Sequence, residues 1–499
     1  MNNSIAHSVA KNTAIQFAQQ LMTWASTFLL MLFLPRYLGP VSYGHLYLAI
    51  TVSGIFLLFI DYDNRLGISK RIAKTPEDAA RIIANSYAFR VGIWIVSFIS
   101  LMVFGMVAGY PPVLRWILLL FGVEMLWNGG KTVLLGLFLG FESLKYSSIG
   151  AIIERAFIAI VGVSALLLGA NEIVIAAIMI SGTLIDFLIL LKFSHRFVPK
   201  LARVDWKQTI VLLKDGFPYL LYTLFGVIYY RIDTVMLSVQ TPEAVVGWYG
   251  VSYKFLDLLA FLPSIFSLSL LPVMTKLQSK GDDRTEVMTR KGLDFIMVAV
   301  FPITICMFAL SHDIIKLFYG LTGFGPSVIL LQLLSVGLPL IYIDMVLGTA
   351  IFACDKQRQW AVTAFFAAIL NIVLNYFLIP YFQVRAGNGA IGASIATIIT
   401  EFFILLNALA LLPAKLLPRD INLVSVKSVT AGIVMAGSIW LMNQAGLYWL
   451  AQPVIATALY FGCLLLMKTF TPEEITFMKQ FMSIGNITKI FSMGRSGGE

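Results

Sequence analysis

Charge is what this chain has least of. Only 12% of its 499 residues are Asp, Glu, Lys or Arg, whereas a soluble domain carries about 25%. Polar length is missing too: no polar stretch exceeds about 30 residues, which is too short to fold as a domain of its own. That excludes a soluble catalytic domain within these residues. Cysteine is scarce, and Cys306, Cys354 and Cys463 lie in or beside apolar runs at no metal or disulfide spacing. They read as small core residues. The four histidines, His7, His45, His195 and His312, are far apart in the sequence, which gives no support to a metal or catalytic constellation. No GxxxxGK[ST] phosphate loop is present, so ATP hydrolysis by this stretch is excluded. HExxH is absent as well, and no GxSxG lies on a strand-to-helix turn. No cofactor, no metal and no nucleic-acid partner is expected.

What is present is apolar length. Hydrophobic residues make up 59% of the chain, and a bilayer is crossed by about 20 consecutive apolar residues of helix. The pattern predicts an all-α integral membrane protein with about fourteen spans: 12–34, 44–60, 82–108, 114–138, 147–168, 172–192, 216–238, 244–271, 292–311, 327–352, 360–379, 388–411, 425–443 and 446–467. The first run is too long for the apolar segment of a signal peptide and lacks a small-residue cleavage site, so it is read as a retained helix. Basic residues test the count. With the N-terminus in the cytoplasm, cytoplasmic segments hold about 26 Lys and Arg, and the opposite side holds only Arg36, Arg115, Lys316 and Arg385. One span too many or too few would reverse every later loop and destroy that asymmetry. Both termini are therefore expected in the cytoplasm, and the net charge of +10 is mostly this bias.

The stretch 213–277 organises the rest. Two apolar runs joined by the polar turn 240–244 each carry charge: Arg231 and Asp233 in the first, Lys254 and Asp257 in the second. A charge at bilayer depth costs a few kcal/mol unless it is paired or hydrated. Arg231 and Asp233 could also snorkel to the interface, but Lys254 and Asp257 lie deeper. Lys254 and Asp257, three apart, can pair directly. Arg231 and Asp233, two apart, each need another partner. The remaining intramembrane cations are Arg90, Lys131 and Arg155, and the acids are Glu124, Glu154, Asp186, Asp344 and Glu401. Glu124 and Lys131 lie on one helix face two turns apart. Each such residue is read either as half of a buried ion pair or as the wall of a wet cavity. In a cavity, Arg90, Lys131, Arg155, Arg231 and Lys254 would suit phosphate or pyrophosphate. Glu124, Asp257, Asp344 and Glu401 would be candidates for H⁺ or Na⁺ coupling. Asn12, Gln16, Gln19, Gln20 and Thr23 give the first span a polar face, for packing or for lining a cavity. Gly136 and Gly140 read as a helix-packing pair.

The loop 192–215 is a natural midpoint, with Asp205-Trp206-Lys207 opening a short amphipathic helix over Ile210 to Leu213. The chain on its two sides looks alike. Aligning Gly44 with Gly247 lays spans one to six on spans seven to twelve, so that span six, with Asp186, is the counterpart of span twelve, with Glu401. Parallel repeats of this kind build transporters with a site at the repeat interface. The expected division is a first lobe at 1–204, a second at 205–412, two extra spans at 413–470 and a cytoplasmic amphipathic tail at 471–499. The tail opens Thr471-Pro472-Glu473-Glu474, a helix start, and continues with an apolar stripe of Ile475, Met478, Phe481 and Met482.

Three segments carry a resemblance. The first is Pro35-Arg36-Tyr37-Leu38-Gly39-Pro40 followed by Tyr43-Gly44. The second is Gly216-Phe217-Pro218, Arg231-Ile232-Asp233 and Gly247-Trp248-Tyr249. The third is Leu370-Asn371-Ile372-Val373-Leu374-Asn375-Tyr376 running to Pro380, then Gly389-Ala390-Ile391-Gly392-Ala393-Ser394. In this order and spacing they resemble the polysaccharide-biosynthesis flippases of the multidrug/oligosaccharidyl-lipid/polysaccharide exporter superfamily. The resemblance implies two six-helix lobes in a V around a central cavity, with alternating access. It implies a short glycan on polyprenyl pyrophosphate as substrate, moved across the cytoplasmic (inner) membrane for O-antigen-like surface polysaccharide. It also implies membrane lipids, glycosyltransferases and a polysaccharide polymerase as partners, and a groove for the lipid tail at the two extra spans. It names no binding residues. Two other readings stay open: a cation-coupled multidrug exporter of the same fold, and a membrane-embedded enzyme acting on lipid-linked glycan. The many intramembrane cations argue against the first. The short, acid-poor outer loops at 311–327 and 380–388 argue against the second.

Overall fold

The computed structural model describes residues 3–61, 65–200, 202–279, 284–413 and 423–470, the side chains of 3–14, 17, 207–219, 221 and 222 excepted. The expected tail at 471–499, the loop 414–422, and the side chains of Asn12, Gly216-Phe217-Pro218 and the 207–213 amphipathic segment lie outside the described residues. Among the described residues the chain forms seventeen α-helices and no strand. The first six are α1 (Asn3–Ile60), α2 (Arg65–Lys74), α3 (Ala79–Val107), α4 (Pro112–Gly140), α5 (Leu144–Leu167) and α6 (Glu172–Ser194). Then come α7 (Trp206–Gln240), α8 (Glu243–Leu259), α9 (Phe261–Gln278), α10 (Arg284–Ala309), α11 (Ser311–Phe318) and α12 (Leu321–Phe324). The last are α13 (Ser327–Ala353), α14 (Gln357–Ala386), α15 (Ala390–Leu411), α16 (Leu423–Gln444) and α17 (Gln452–Leu466). Each expected span falls on these helices, span eight on two of them, and among the described residues eleven stretches are long and apolar enough to cross a membrane.

Two spans differ in construction from a plain rod. Spans one and two share α1, which is interrupted only at Gly39, where φ is 75°. An L side chain rarely adopts that conformation, and Pro40 next to it removes a helix hydrogen bond. The span break thus takes a Gly-Pro pair rather than a loop. Span eight is divided into α8 and α9 at Ala260, with Pro263 in the first turn of α9, where a missing N–H costs nothing.

Helices α3 to α6 pack on one another and on α1. Helices α7 to α10 with α13, α14 and α15 form a second group, and α16 and α17 flank it through α10. There Tyr460 donates to the Val298 carbonyl at 3.1 Å. Apolar burial drives helices together only weakly inside lipid, so small residues and hydrogen bonds decide where they touch. Gly136 and Gly140 do this for α2: a Cβ at either would come within 2.9 Å of the Ile68 or Ile72 side chain. The two groups of helices touch along α1 and α8, near the face poor in Lys and Arg. A Cβ on Gly44 would lie 2.7 Å from the Glu243 carbonyl oxygen and 3.0 Å from the Gly247 nitrogen. Gly247 in turn is pressed against the Pro40 carbonyl. Gly44 and Gly247, aligned above, therefore meet backbone to backbone at the junction of the groups. Tyr110 and Ser238 add a side-chain bond across it at 2.6 Å.

Candidate functional site

Beside that junction, α7, α8 and α1 bring together a polar cluster. Arg231 of α7 reaches Asp257 of α8, with Nη2 3.2 Å from Oδ2, and donates from Nη1 to the Tyr47 hydroxyl of α1 at 3.2 Å. Its guanidinium lies 4.9 Å from the Tyr230 ring centre and 5.4 Å from that of Tyr253. Such faces attract a cation. Tyr230 also donates to Asp257 at 3.0 Å. Lys254 stands 3.9 Å from Asp257 and 5.9 Å from the centre of the Tyr47 ring. Asp257 is thus held by Arg231, with Lys254 as the looser partner. Lys254 is also the more open of the two cations, its side chain 39% exposed against 25% for Arg231. Two cations share one acid here, which leaves a net positive charge beside three tyrosine rings. Asp233 takes no part: it is buried and accepts from the Tyr249 hydroxyl and, at 2.7 Å, from the Thr234 amide.

The other predicted cations are elsewhere. Lys131 is clasped by Glu154 at 2.8 Å and Asp186 at 3.0 Å inside the first helix group. Arg90 is 2% exposed and lies 3.9 Å from Asp61, which also accepts from Thr132. Arg155 is 3.9 Å from the far oxygen of Glu154 and half-exposed. The five cations thus form no single basic patch; Arg231 and Lys254 stand together, and Lys131 and Arg90 neutralise acids between helices. Glu124 is buried and accepts from Asn128, one turn on, at 2.7 Å.

The acids Asp344 and Glu401 make a second, deeper site. Both are buried, and their carboxyls lie side by side between α13 and α15. Tyr229 of α7 donates to Glu401, while neither Asp344 oxygen has a hydrogen-bond donor. Alongside, Asn375 donates to Asn371 at 2.8 Å, and Asn371 faces the Thr400 hydroxyl at 3.5 Å. The contrast with the first helix group is chemical. There the buried acids Glu154 and Asp186 share Lys131; among the described residues Asp344 and Glu401 have no ion-pair partner. Two carboxyls in a membrane interior with no fixed cation suit an exchangeable one, a proton or a small metal ion. Successive helix residues point about 100° apart, so α7 presents Tyr229 to this site and Tyr230 and Arg231 to the cationic cluster.

The tyrosines were the part sequence reading missed. Tyr47, Tyr229, Tyr230 and Tyr253 partner the charged groups of both sites. Their one signal is that they fall within a turn or so of an intramembrane charge, or on the repeat-equivalent span. The polar face of the first span is open rather than packed, with Gln16 exposed and Gln19, Gln20 and Thr23 half-buried.

The comparisons with known proteins agree in kind. Residues 9–278 match the family model of polysaccharide biosynthesis proteins, and residues 146–460 match that of the lipid II flippase MurJ. A comparison with curated proteins finds no match. Among solved structures, the chain is similar to a lipid II flippase MurJ in an inward closed conformation, with a TM-score of 0.71 at 15% identity over 92% of this chain and 98% of that one. It is similar to an inward-facing multidrug resistance MATE family transporter, with a TM-score of 0.61 at 13% identity over 79% of this chain and 95% of that one. A Vibrio cholerae MATE transporter matches with a TM-score of 0.51 at 13% identity, covering 82% and 97%.

Proposed function

The chain belongs to the polysaccharide biosynthesis protein family of the multidrug/oligosaccharidyl-lipid/polysaccharide exporter superfamily, and on that premise we propose that it flips a polyprenyl-pyrophosphate-linked oligosaccharide across the cytoplasmic membrane. It is a multi-pass membrane transporter and carries out no bond chemistry. Its two lobes, 1–204 and 205–412, rock about the α1–α8 junction, and spans thirteen and fourteen (413–470) flank the second lobe beside the lipid tail. The tail 471–499 and the N-terminus face the cytoplasm, and the Lys- and Arg-poor face is outward. The product is an O-antigen-like surface polysaccharide, made with glycosyltransferases and a polymerase as neighbours.

The observation that carries this reading is the Arg231–Lys254–Asp257 cluster at the lobe junction. A pyrophosphate is a diffuse, multiply charged anion, which Arg binds as a fork and Lys as a point charge. Bound there, it would compete with Asp257 for Arg231 and so loosen the contact between α7 and α8. The rings of Tyr47, Tyr230 and Tyr253 give flat faces on which sugar rings pack. Arg90 and Lys131 hold the first lobe together, and Arg155 lies apart from the cluster. Coupling rests on Asp344 and Glu401, where H⁺ or Na⁺ would replace the cation that Lys131 supplies in the other lobe. Glu124 and Asp257 already have partners and are the weaker candidates. Translocation of a polyprenyl-pyrophosphate oligosaccharide by the wild type and by Arg231→Ala and Lys254→Ala tests the reading. Normal transport by both variants contradicts the site.

A further inference from the structure

The corner where α5 begins and α6 ends is used by nothing above. Tyr146, in the first turn of α5, is buried among rings. Phe193 of α6 lies 4.7 Å away between ring centres, Phe138 of α4 5.6 Å, and Phe197, just past α6, 5.9 Å. Phe141 closes the box, 5.1 Å from Phe197. Two cations stand on it. The Lys145 ammonium is 4.8 Å from the centre of the Tyr146 ring. The Arg196 guanidinium is 5.6 Å from that ring and 5.4 Å from the Phe193 ring, and it donates to the Tyr146 hydroxyl at 3.1 Å. Both cations are exposed, and among the described residues neither has an ion-pair partner. That sets them apart from Arg231, Lys131 and Arg90, each of which faces an acid.

The surplus charge works against the local helix. Lys145 lies in the first turn of α5, at the positive end of the helix macrodipole, with no acid in that turn and no side-chain cap. The bias of basic residues to one side of a membrane accounts for cations at this end of the molecule. It does not account for two of them on one ring with no acid between them. A bound anion would offset both the dipole and the mutual repulsion. A guanidinium has five N–H groups, and the bond to Tyr146 uses one.

The surface next to the cations says which anion. Residues four apart share a helix face. Lys145 is followed on α5 by Ile149 and Ile153, 39% and 41% exposed. On α6, Leu188 and Lys192 are both exposed, and Arg196 follows just past the helix end. Each helix thus presents charge at its end and bare apolar surface along the same face. A free phosphate or a soluble acidic protein would use the first and leave the second. A phospholipid fits both, and aromatic rings of this kind are enriched where a membrane meets water.

We propose that this corner binds the headgroup of an anionic phospholipid, its phosphate between Lys145 and Arg196 against the Tyr146–Phe193 pair and its acyl chain on Ile149 and Ile153. Basic pockets between transmembrane helices bind such headgroups in other proteins. The site depends on the chain's spanning a membrane and not on what it transports, so a failed flippase assay leaves it standing.

The test reads lipid enrichment at the site, with no transport involved. Cys306, Cys354 and Cys463 are replaced by Ser, and a fluorophore that nitroxides quench is attached at Ile149→Cys. The full chain is reconstituted in phosphatidylcholine vesicles holding an equal small share of either phosphatidylglycerol or phosphatidylcholine with a nitroxide on its chain. One basic residue at an anionic lipid surface is worth about a fivefold gain in binding. The quenching should therefore show phosphatidylglycerol enriched at least about fivefold over phosphatidylcholine. Lys145→Gln with Arg196→Gln should bring the two lipids level, and both side chains are exposed, so the fold should survive. Lys70→Gln with Lys74→Gln, exposed on α2, removes as much charge and should leave the enrichment in place. Inorganic phosphate at matched ionic strength should not displace the lipid. Equal quenching in the wild type, enrichment that survives Lys145→Gln with Arg196→Gln, equal loss in the α2 variant, or displacement by inorganic phosphate each overturns the proposal.

Discussion

Removing the right charge and the wrong one should have opposite consequences. Arg231→Ala takes away a donor that faces a half-open cluster, and hydrogen bonds to charged groups contribute about 1.5–3 kcal/mol. We expect translocation to fall about tenfold or more, with folded yield and melting temperature close to wild type. Lys131→Ala instead leaves Glu154 and Asp186 facing each other, both nearly fully buried. Breaking a buried ion pair by removing one partner costs about 3–5 kcal/mol, so a lowered melting temperature and poor membrane yield should dominate. Asp344→Asn should leave folding intact and make transport indifferent to an imposed H⁺ or Na⁺ gradient, measured in proteoliposomes. The sequence could say that these charges lie in the membrane. It could not say which ones were already neutralised, because that depends on partners on other helices, as with Lys131 and Glu154, 23 positions apart. The i,i+3 rule favoured Lys254 as the partner of Asp257, but the α7–α8 crossing brings Arg231 closer.

Among the elements, where the helices lie was the most legible feature. A run of about 20 apolar residues has few alternatives to a membrane helix, and the Lys and Arg asymmetry constrained the register of every loop. Less legible were the two departures from a rod, the break inside α1 at Gly39 and the division of span eight at Ala260. Both sit beside a proline, which marks where a helix can break but not whether it does. The glycine contacts belong to this scale. Gly247→Val would push a branched side chain against Pro40, and overpacking of this kind costs about 1–3 kcal/mol. The expected result is a parting of α1 from α8 on the Lys- and Arg-poor face, read as a longer distance between spin labels on Leu168 and Val384, both highly exposed. Gly136→Leu should instead lift α2 off α4, where the added side chain meets Ile68. Trypsin should then cut faster at the exposed Lys70 and Lys74.

For the whole molecule, the two helix groups meet where the two aligned glycines lie. Gly44 and Gly247, equivalent in the two halves, meet at the closed face, and the charged cluster lies directly beneath. A substrate arriving from the basic side would encounter Arg231 and Lys254 before that seal. At this scale the junction was beyond a reading of the sequence, since aligning two halves does not say which face they close. The account's central claim is that this junction moves a lipid-linked glycan, and translocation by the purified protein tests it most directly. Proteoliposomes would be loaded with polyprenyl-pyrophosphate oligosaccharides of differing sugar composition, and glycan crossing scored by enzymatic access from outside. The account predicts access above empty liposomes for at least one glycan, lost in Arg231→Ala and Lys254→Ala. No crossing of any glycan by folded protein, with expulsion of a cationic dye or chemical alteration of the glycan in its place, would contradict it.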